Sequence, residues 1–324
     1  MNALPRLVVL ICASIAVQLG AGPLAAQDYP SRTVRIVVPF PPGGTPDVLG
    51  RMVAQKLQEG WTQTVLVENR PGGNTIIGTE AVARATADGH TLLSMSSAHI
   101  TTPLLVPTPY DAIADFAPVA TLAVSNFMLV VHPSVPVASL KELIAHARGR
   151  AGQLNYASSG NAGAPHLAGE FMNILAGIKL THVPYKGMGP AVTDLLGGQV
   201  QLAFAPAVNF LPHVRSGKLR AMAVSGSRMA LLPDVPTFAE AGLPGFEARA
   251  WYGLLAPRGT APAITGKLST EIGRILNLPE IREKLAGQGT SALISTPEQF
   301  LAIMKADSAR MASVVRTAGI KLEP

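Results

Sequence analysis

Short apolar runs alternate with helically spaced apolar positions along most of the chain. Val34, Ile36, Val37 and Val38 are nearly continuous, the pattern of a strand covered on both faces. Val48, Leu49, Met52, Val53 and Leu57 then recur at helical intervals, which predicts an amphipathic helix. The stretch between them, Pro39-Phe40-Pro41-Pro42-Gly43-Gly44-Thr45-Pro46-Asp47, is a bare loop joining a strand's carboxyl end to a helix's amino end. The same rhythm continues through predicted strands at Val65 to Val67, Thr91 to Met95, Phe127 to Val131, Leu154 to Ala157, Val200 to Phe204 and Leu219 to Val224, with a helix starting near Ser139. Such alternation predicts an α/β fold of mainly parallel sheets flanked by helices, and ligands in such folds gather beyond the carboxyl ends of strands.

The loops at those strand ends are chemically distinctive. A helix start exposes unpaired N–H groups at the positive end of the helix dipole, where a carboxylate can sit without a dedicated cation. Glycines let the backbone approach a ligand because no Cβ intervenes, so Gly43 and Gly44 read either as ligand contacts or as a purely architectural turn. Pro46 suits a first-turn position, and Thr45 is the expected cap of that helix. Ser96, Ser97 and Ser159 follow predicted strands and serve either the cleft or helix capping. Asn69, before Arg-Pro-Gly-Gly, reads equally as a support for the first loop and as a turn residue.

Composition narrows the function. Arg6 precedes an apolar core from Leu7 to Leu19, then Gly, Ala and Pro residues, which reads as a secretory signal over residues 1–26. The single cysteine, Cys12, lies within that core, so no disulfide, thiol chemistry or cysteine metal site is expected after cleavage. The formal charge of +6, to which Arg6 contributes one, is a mild excess without a basic run or aromatic-interleaved stripe. That excludes nucleic acid as the expected partner and favours anionic small molecules. No nucleophile elbow, zinc-binding H-E-x-x-H or phosphate-binding P-loop sequence occurs, so neither enzymatic activity nor a cofactor or metal is expected.

Several segments together resemble a known family. "YPSRTVRIVVPFPPGG" with Asp47, "VENRPGG", "ADGHTLL", "LVVHPSVPVASLKELIAHAR", "LNYASSG", "HLAGE", "HVPYKGMGPAVTDLLGGQV" and "LLPDVPTFAEAGLPGFE" occur in the order found in extracytoplasmic solute receptors of the tripartite tricarboxylate transporters, the Bug receptors. The resemblance spans nearly the whole chain after the signal. It implies a two-lobed periplasmic binding protein fold of type II character, each lobe a mainly parallel sheet flanked by helices. Lobe 1 is expected at 27–125 and 251–324 and lobe 2 at 126–250. It further implies a monomeric periplasmic receptor that passes a small organic anion to membrane permease subunits, or alternatively presents its closed form to a membrane sensor kinase.

The resemblance also implies site residues. The loop from Phe40 to Asp47 and the loop from Ser158 to His166, with Ser159, Gly160, Asn161 and Ala164, are expected to face each other across the cleft. His166 is expected mainly to support its loop. Three positions depart from the family pattern: Pro46 and Ala164 stand where Thr or Ser is common, and Ala205 stands where Asp is frequent. Losing these polar handles disfavours a densely polar ligand, because an unpartnered buried polar group costs about 1–3 kcal/mol. The expected ligand is therefore a mono- or dicarboxylate with an apolar or aromatic body.

Overall fold

The structure, a computed structural model, describes residues 29–161, 163–185, 187–287 and 289–320. The expected signal segment lies outside the described residues, and no helix among the described residues is long and apolar enough to cross a membrane.

Strand β1 (Val34–Val38) buries all but Arg35. It lies between β2 (Val65–Asn69) and β3 (Thr91–Ser96), parallel to both. Helix α1 (Thr45–Gly60) covers this sheet with Leu49, Met52, Val53 and Leu57, the helically spaced positions of the sequence. Helices α2 (Ile76–Ala83) and α3 (Ala98–Thr101) follow β2 and β3. The chain then enters β4 (Phe116–Val131), which is much longer than the predicted Phe127 to Val131. Pro118 lacks an N–H, and the ladder register shifts between Pro118 and Ala120, an irregularity that breaks the strand pattern in the sequence.

β4 is the axis of the molecule. From Phe116 to Asn126 it runs antiparallel to β9 (Arg249–Pro257), which also pairs antiparallel with β3. From Phe127 to Val131 it belongs to a second sheet, antiparallel to β7 (Leu202–Pro206) and β8 (Arg220–Val224). There β5 (Asn155–Ser158) runs parallel to β6 (Thr181–Pro184) and β7. The two sheets make the two lobes. The outgoing and returning chains cross between them side by side, Asn126 opposite Arg249. The sheets are thus more mixed than strand-loop-helix alternation implies, because β4 and β9 run against their neighbours.

In the second lobe, α4 (Leu140–Arg148) is capped by Ser139, whose hydroxyl accepts from the Glu142 N–H. It is followed by α5 (Ala164–Ala176), α6 (Met188–Leu196) and the short α7 (Leu211–Arg215). After β9 the chain adds α8 (Pro262–Leu276), α9 (Pro279–Gly287) and β10 (Thr290–Ala292), which pairs with β4. The last helix, α10 (Pro297–Ala318), starts with a reciprocal capping box between Thr296 and Gln299 and packs against both β4 and α5, bridging the lobes. Trp251 is fully buried against Phe300 in the first-lobe core and donates from Nε1 to Asp307 Oδ2 at 2.8 Å.

Candidate ligand cleft

The first loop is held from beneath by two side chains. The Gly43 N–H donates to Asp47 Oδ2 at 2.9 Å, and Asn69 Nδ2 donates to Asp47 Oδ1 at 2.8 Å and to the Phe40 carbonyl at 3.1 Å. Arg51 Nε adds a third donor to Asp47 at 3.1 Å. Burial alone would push the Asp47 pKa up, but the bonds from Arg51, Gly43 and Asn69 overcome it and hold the carboxyl below its ordinary range. The acid placed by sequence among the ligand contacts therefore has its oxygens committed to the loop itself, and Asn69 is a support as well as a turn residue.

Glycine is required at one of the paired positions. Gly43 has φ 87, in the left-handed region, whereas Gly44 is extended at φ −69 and ψ 158 as the N-cap of α1. A Cβ on Gly44 would meet the Pro41 carbonyl oxygen at 3.6 Å, an ordinary contact. Thr45 is inside the helix and makes no cap bond, contrary to the expected capping role, because Gly44 already occupies the cap. Its hydroxyl instead adjoins the buried Tyr252 phenol, together with Ser125. Pro46 is buried, and its carbonyl accepts from Ser94 Oγ at 2.9 Å.

The second loop repeats the arrangement. Gly163 is the extended N-cap of α5 at φ −66 and ψ 163, with Ala164 and Pro165 following as Thr45 and Pro46 follow Gly44. Beneath it, Ser158 Oγ donates to the Gly160 carbonyl at 2.8 Å, accepts from the Gly160 N–H at 3.2 Å and lies 2.6 Å from His182 Nε2. His182 stacks on His166 with centroids 3.7 Å apart and planes 6° from parallel. Tyr156 ties the pair down by donating to Glu170 Oε1 at 2.7 Å, with a 3.2 Å contact to the His166 carbonyl. Burial lowers both imidazoles; His182, further disfavoured by its partner ring, falls to about 4, whereas Glu170 partly offsets the shift at His166. His166 sits behind the loop as its support.

Between the lobes lies a cleft of about 650 Å³. Phe40, Ala98, Leu105 and Val106 form its apolar surface in the first lobe, and Asn74, Thr75, Thr101 and Thr102 its polar surface. Ser159, Gly160, Asn161, Gly163 and Ala164 face it from the second. No Lys, Arg, Asp or Glu is among these described lining residues, and the side-chain donors they offer are neutral. A smaller pocket of about 30 Å³ adjoins it, sharing Thr101 and Ala164 and lined also by Ser97, Phe127 and the charged Glu247, Arg249, Asp307 and Arg310.

Phe40, Ser159, Gly160, Asn161 and Ala164 are thus brought together on the cleft, while Gly43, Gly44, Thr45, Pro46 and Asp47 form the loop that continues from Phe40. Ser97 lines the small cavity, and Ser96 Oγ accepts from the Ala98 N–H at 3.3 Å, a turn contact. Ala205 is fully buried opposite Met128 in the β4–β7 ladder, which removes it from the cleft surface. Sequence reasoning missed Asn74, Thr75 and the wall from Ala98 to Val106. The Asn-Thr pair after two glycines was the available turn signal for the former, whereas the wall carries no motif.

The model of the tripartite tricarboxylate transporter family receptor matches residues 49–320. Protein BugT of Bordetella pertussis is 40% identical over 322 residues, covering 98% of this chain and 99% of that protein. Among solved structures, an R. palustris protein with adipate superposes with a TM-score of 0.78 at 35% identity, covering 91% of this chain and 99% of its own. MatC from Rhodopseudomonas palustris with bound malate gives 0.73 at 34% identity, covering 89% and 100%.

Proposed function

We propose, from the premise that the chain belongs to the tripartite tricarboxylate transporter receptor family, that it is a periplasmic receptor which captures one small organic carboxylate between its lobes and delivers it to membrane permease subunits. The observation that carries this reading is the cleft itself, where two glycine-capped helix starts adjoin or line a space bounded, among the described residues, by neutral donors and no Lys, Arg, Asp or Glu side chain. A carboxylate can be held there by N–H groups and hydroxyls alone. The dicarboxylates in the two related structures support the ligand class.

The ligand has an apolar or aromatic body. Phe40, Leu105 and Val106 offer apolar surface, and Ala164 stands at the start of α5 without a hydroxyl. The lobes divide at 126 on the outgoing chain and near 250 on the return, where β4 leaves the first sheet and β9 enters it. A thermal-shift screen of mono-, di- and tricarboxylates and aromatic acids, followed by calorimetry, tests the reading. The expected result is one ligand per chain, with stabilisation of about 2.7 kcal/mol when ligand is near 100 times its dissociation constant. A sugar or a cation shifting the melting temperature while no organic anion does would refute it.

A further inference from the structure

We infer that the exposed Asn74 carboxamide is the specificity-determining side-chain donor of the first lobe, selecting ligands that carry an acceptor oxygen, a second carboxylate above all, at the end remote from Ser159 and Asn161. This rests on the reading that the cleft takes organic carboxylates. The first lobe has few side-chain donors to offer. Its polar surface in the cleft comes from Asn74, Thr75, Thr101 and Thr102. Thr75 Oγ1 is closed off from water. Thr101 and Thr102 are buried, and their hydroxyls are turned to backbone carbonyls, Thr101 to Ala98 at 3.4 Å and Thr102 to Asn74 at 3.5 Å. The Asn74 side chain is the one of the four that is exposed, and its carboxamide makes no hydrogen bond among the described residues.

A turn role does not by itself account for this side chain. The Ile76 N–H donates to the Gly73 carbonyl at 3.0 Å, and both central residues have positive φ, Asn74 at 52° and Thr75 at 78°. Asparagine suits such a mirror-image turn, and in turns it commonly bonds its side chain back to the backbone two residues on. Here that bond is not made, because other groups fix the turn. The Thr75 carbonyl accepts from both the Thr79 N–H at 3.2 Å and Thr79 Oγ1 at 2.8 Å. Gly78 lets the segment close on its neighbours, since a Cβ there would lie 2.6 Å from the Arg70 carbonyl oxygen and 2.9 Å from Pro39 Cβ. With the backbone held from behind, the carboxamide is left to the cleft.

An exposed carboxamide is served by water. A ligand that fills the cleft displaces that water, and the amide must then find an acceptor on the ligand or stay unpaired. Ser159 and Asn161 line the same cleft from the other lobe. A diacid gripped there brings its second carboxylate to Asn74, and an ionised acceptor makes the stronger hydrogen bond. A monoacid of the same skeleton covers the amide with a methyl group instead, and a site built to hydrogen-bond one group rejects the analogue that lacks it.

The test is calorimetry with acids matched in carbon skeleton: succinate and butyrate, adipate and hexanoate, terephthalate and 4-methylbenzoate. Asn74→Gly removes the amide, and Asn74→Asp keeps its shape but replaces the donor with a negative charge. Glycine and aspartate both tolerate positive φ, so each unliganded variant should melt close to wild type. The wild type should prefer the diacid of at least one pair. For that diacid Asn74→Gly should lose tenfold or more, about 1.4 kcal/mol, with its monoacid bound no more weakly than by wild type. Asn74→Asp should lose more than Asn74→Gly, because the new carboxylate repels the ligand's own. A residue serving the turn alone gives the opposite order, with aspartate binding as wild type does. That order, an equal loss for both members of the pair, or a wild type that prefers no diacid overturns the inference and leaves the carboxylate reading standing. A wild type that binds no member of the panel overturns both.

Discussion

Replacing Asp47 by alanine separates a loop support from a ligand contact. In the native fold its buried carboxylate accepts from the Gly43 N–H at 2.9 Å, from Asn69 at 2.8 Å and from Arg51 at 3.1 Å. Hydrogen bonds to a charged group contribute about 1.5–3 kcal/mol each, and their removal strands the donors left behind. The Arg51 side chain is half exposed, so its share is screened and falls below about 1 kcal/mol. Asn69 keeps its bond to the Phe40 carbonyl, which limits the loss on that side. The expected cost of Asp47→Ala is about 3 kcal/mol, or about 6 °C in melting temperature for a chain of this size. Because the folded carboxyl is held below its ordinary value of 3.8, its stabilisation is full above that pH and is lost as pH falls through the folded value. Thermal denaturation followed by circular dichroism from pH 7 to pH 2 should therefore show the wild type and Asp47→Asn converging under acid. A variant melting within about 1 °C of wild type at pH 7 yet losing ligand affinity would refute the reasoning and place the carboxylate on the ligand.

The paired glycines should behave differently: Gly43→Ala, at φ 87, should cost about 1 kcal/mol and about 2 °C, whereas Gly44→Ala, already extended, should melt as wild type. Equal effects in the two melting curves would contradict the backbone assignment. His182→Gln should flatten the acid response of stability. The His182 ring is kept neutral by burial and by His166, so its contribution is full above the ordinary value of 6.5 and is lost as pH falls towards about 4. Denaturation midpoints of both proteins across that range check the sign, and parallel curves would exclude the stacked pair as the source.

The chain's local pattern determined the strand and helix that flank each loop, because apolar periodicity and Gly-Pro punctuation act over a few residues. Val34 to Val38, the glycine-proline loop and the face of α1 are legible in this way, as is the start of α4 at Ser139. The ordered family segments carried the two-lobed architecture and the expectation that the loops from Phe40 to Asp47 and from Ser158 to His166 face each other across a cleft. Strand direction was not legible, since a buried strand reads alike whichever way it runs. The antiparallel placement of β4 and β9, and the passage of β4 from one sheet to the other, follow from partners 71 to 141 residues away. Side-chain direction was equally hidden. Asp47 looked like a ligand contact until Gly43, Asn69 and Arg51 were found around its oxygens, and Ala205 looked like a strand-end position until its ladder with β4 buried it. Thr75 carries no signal for its left-handed backbone, because that conformation is imposed by Thr79 and by the close approach of the chain at Gly78. Local residues thus determined which loops stand at the cleft, while non-local packing decided which atoms of those loops face it.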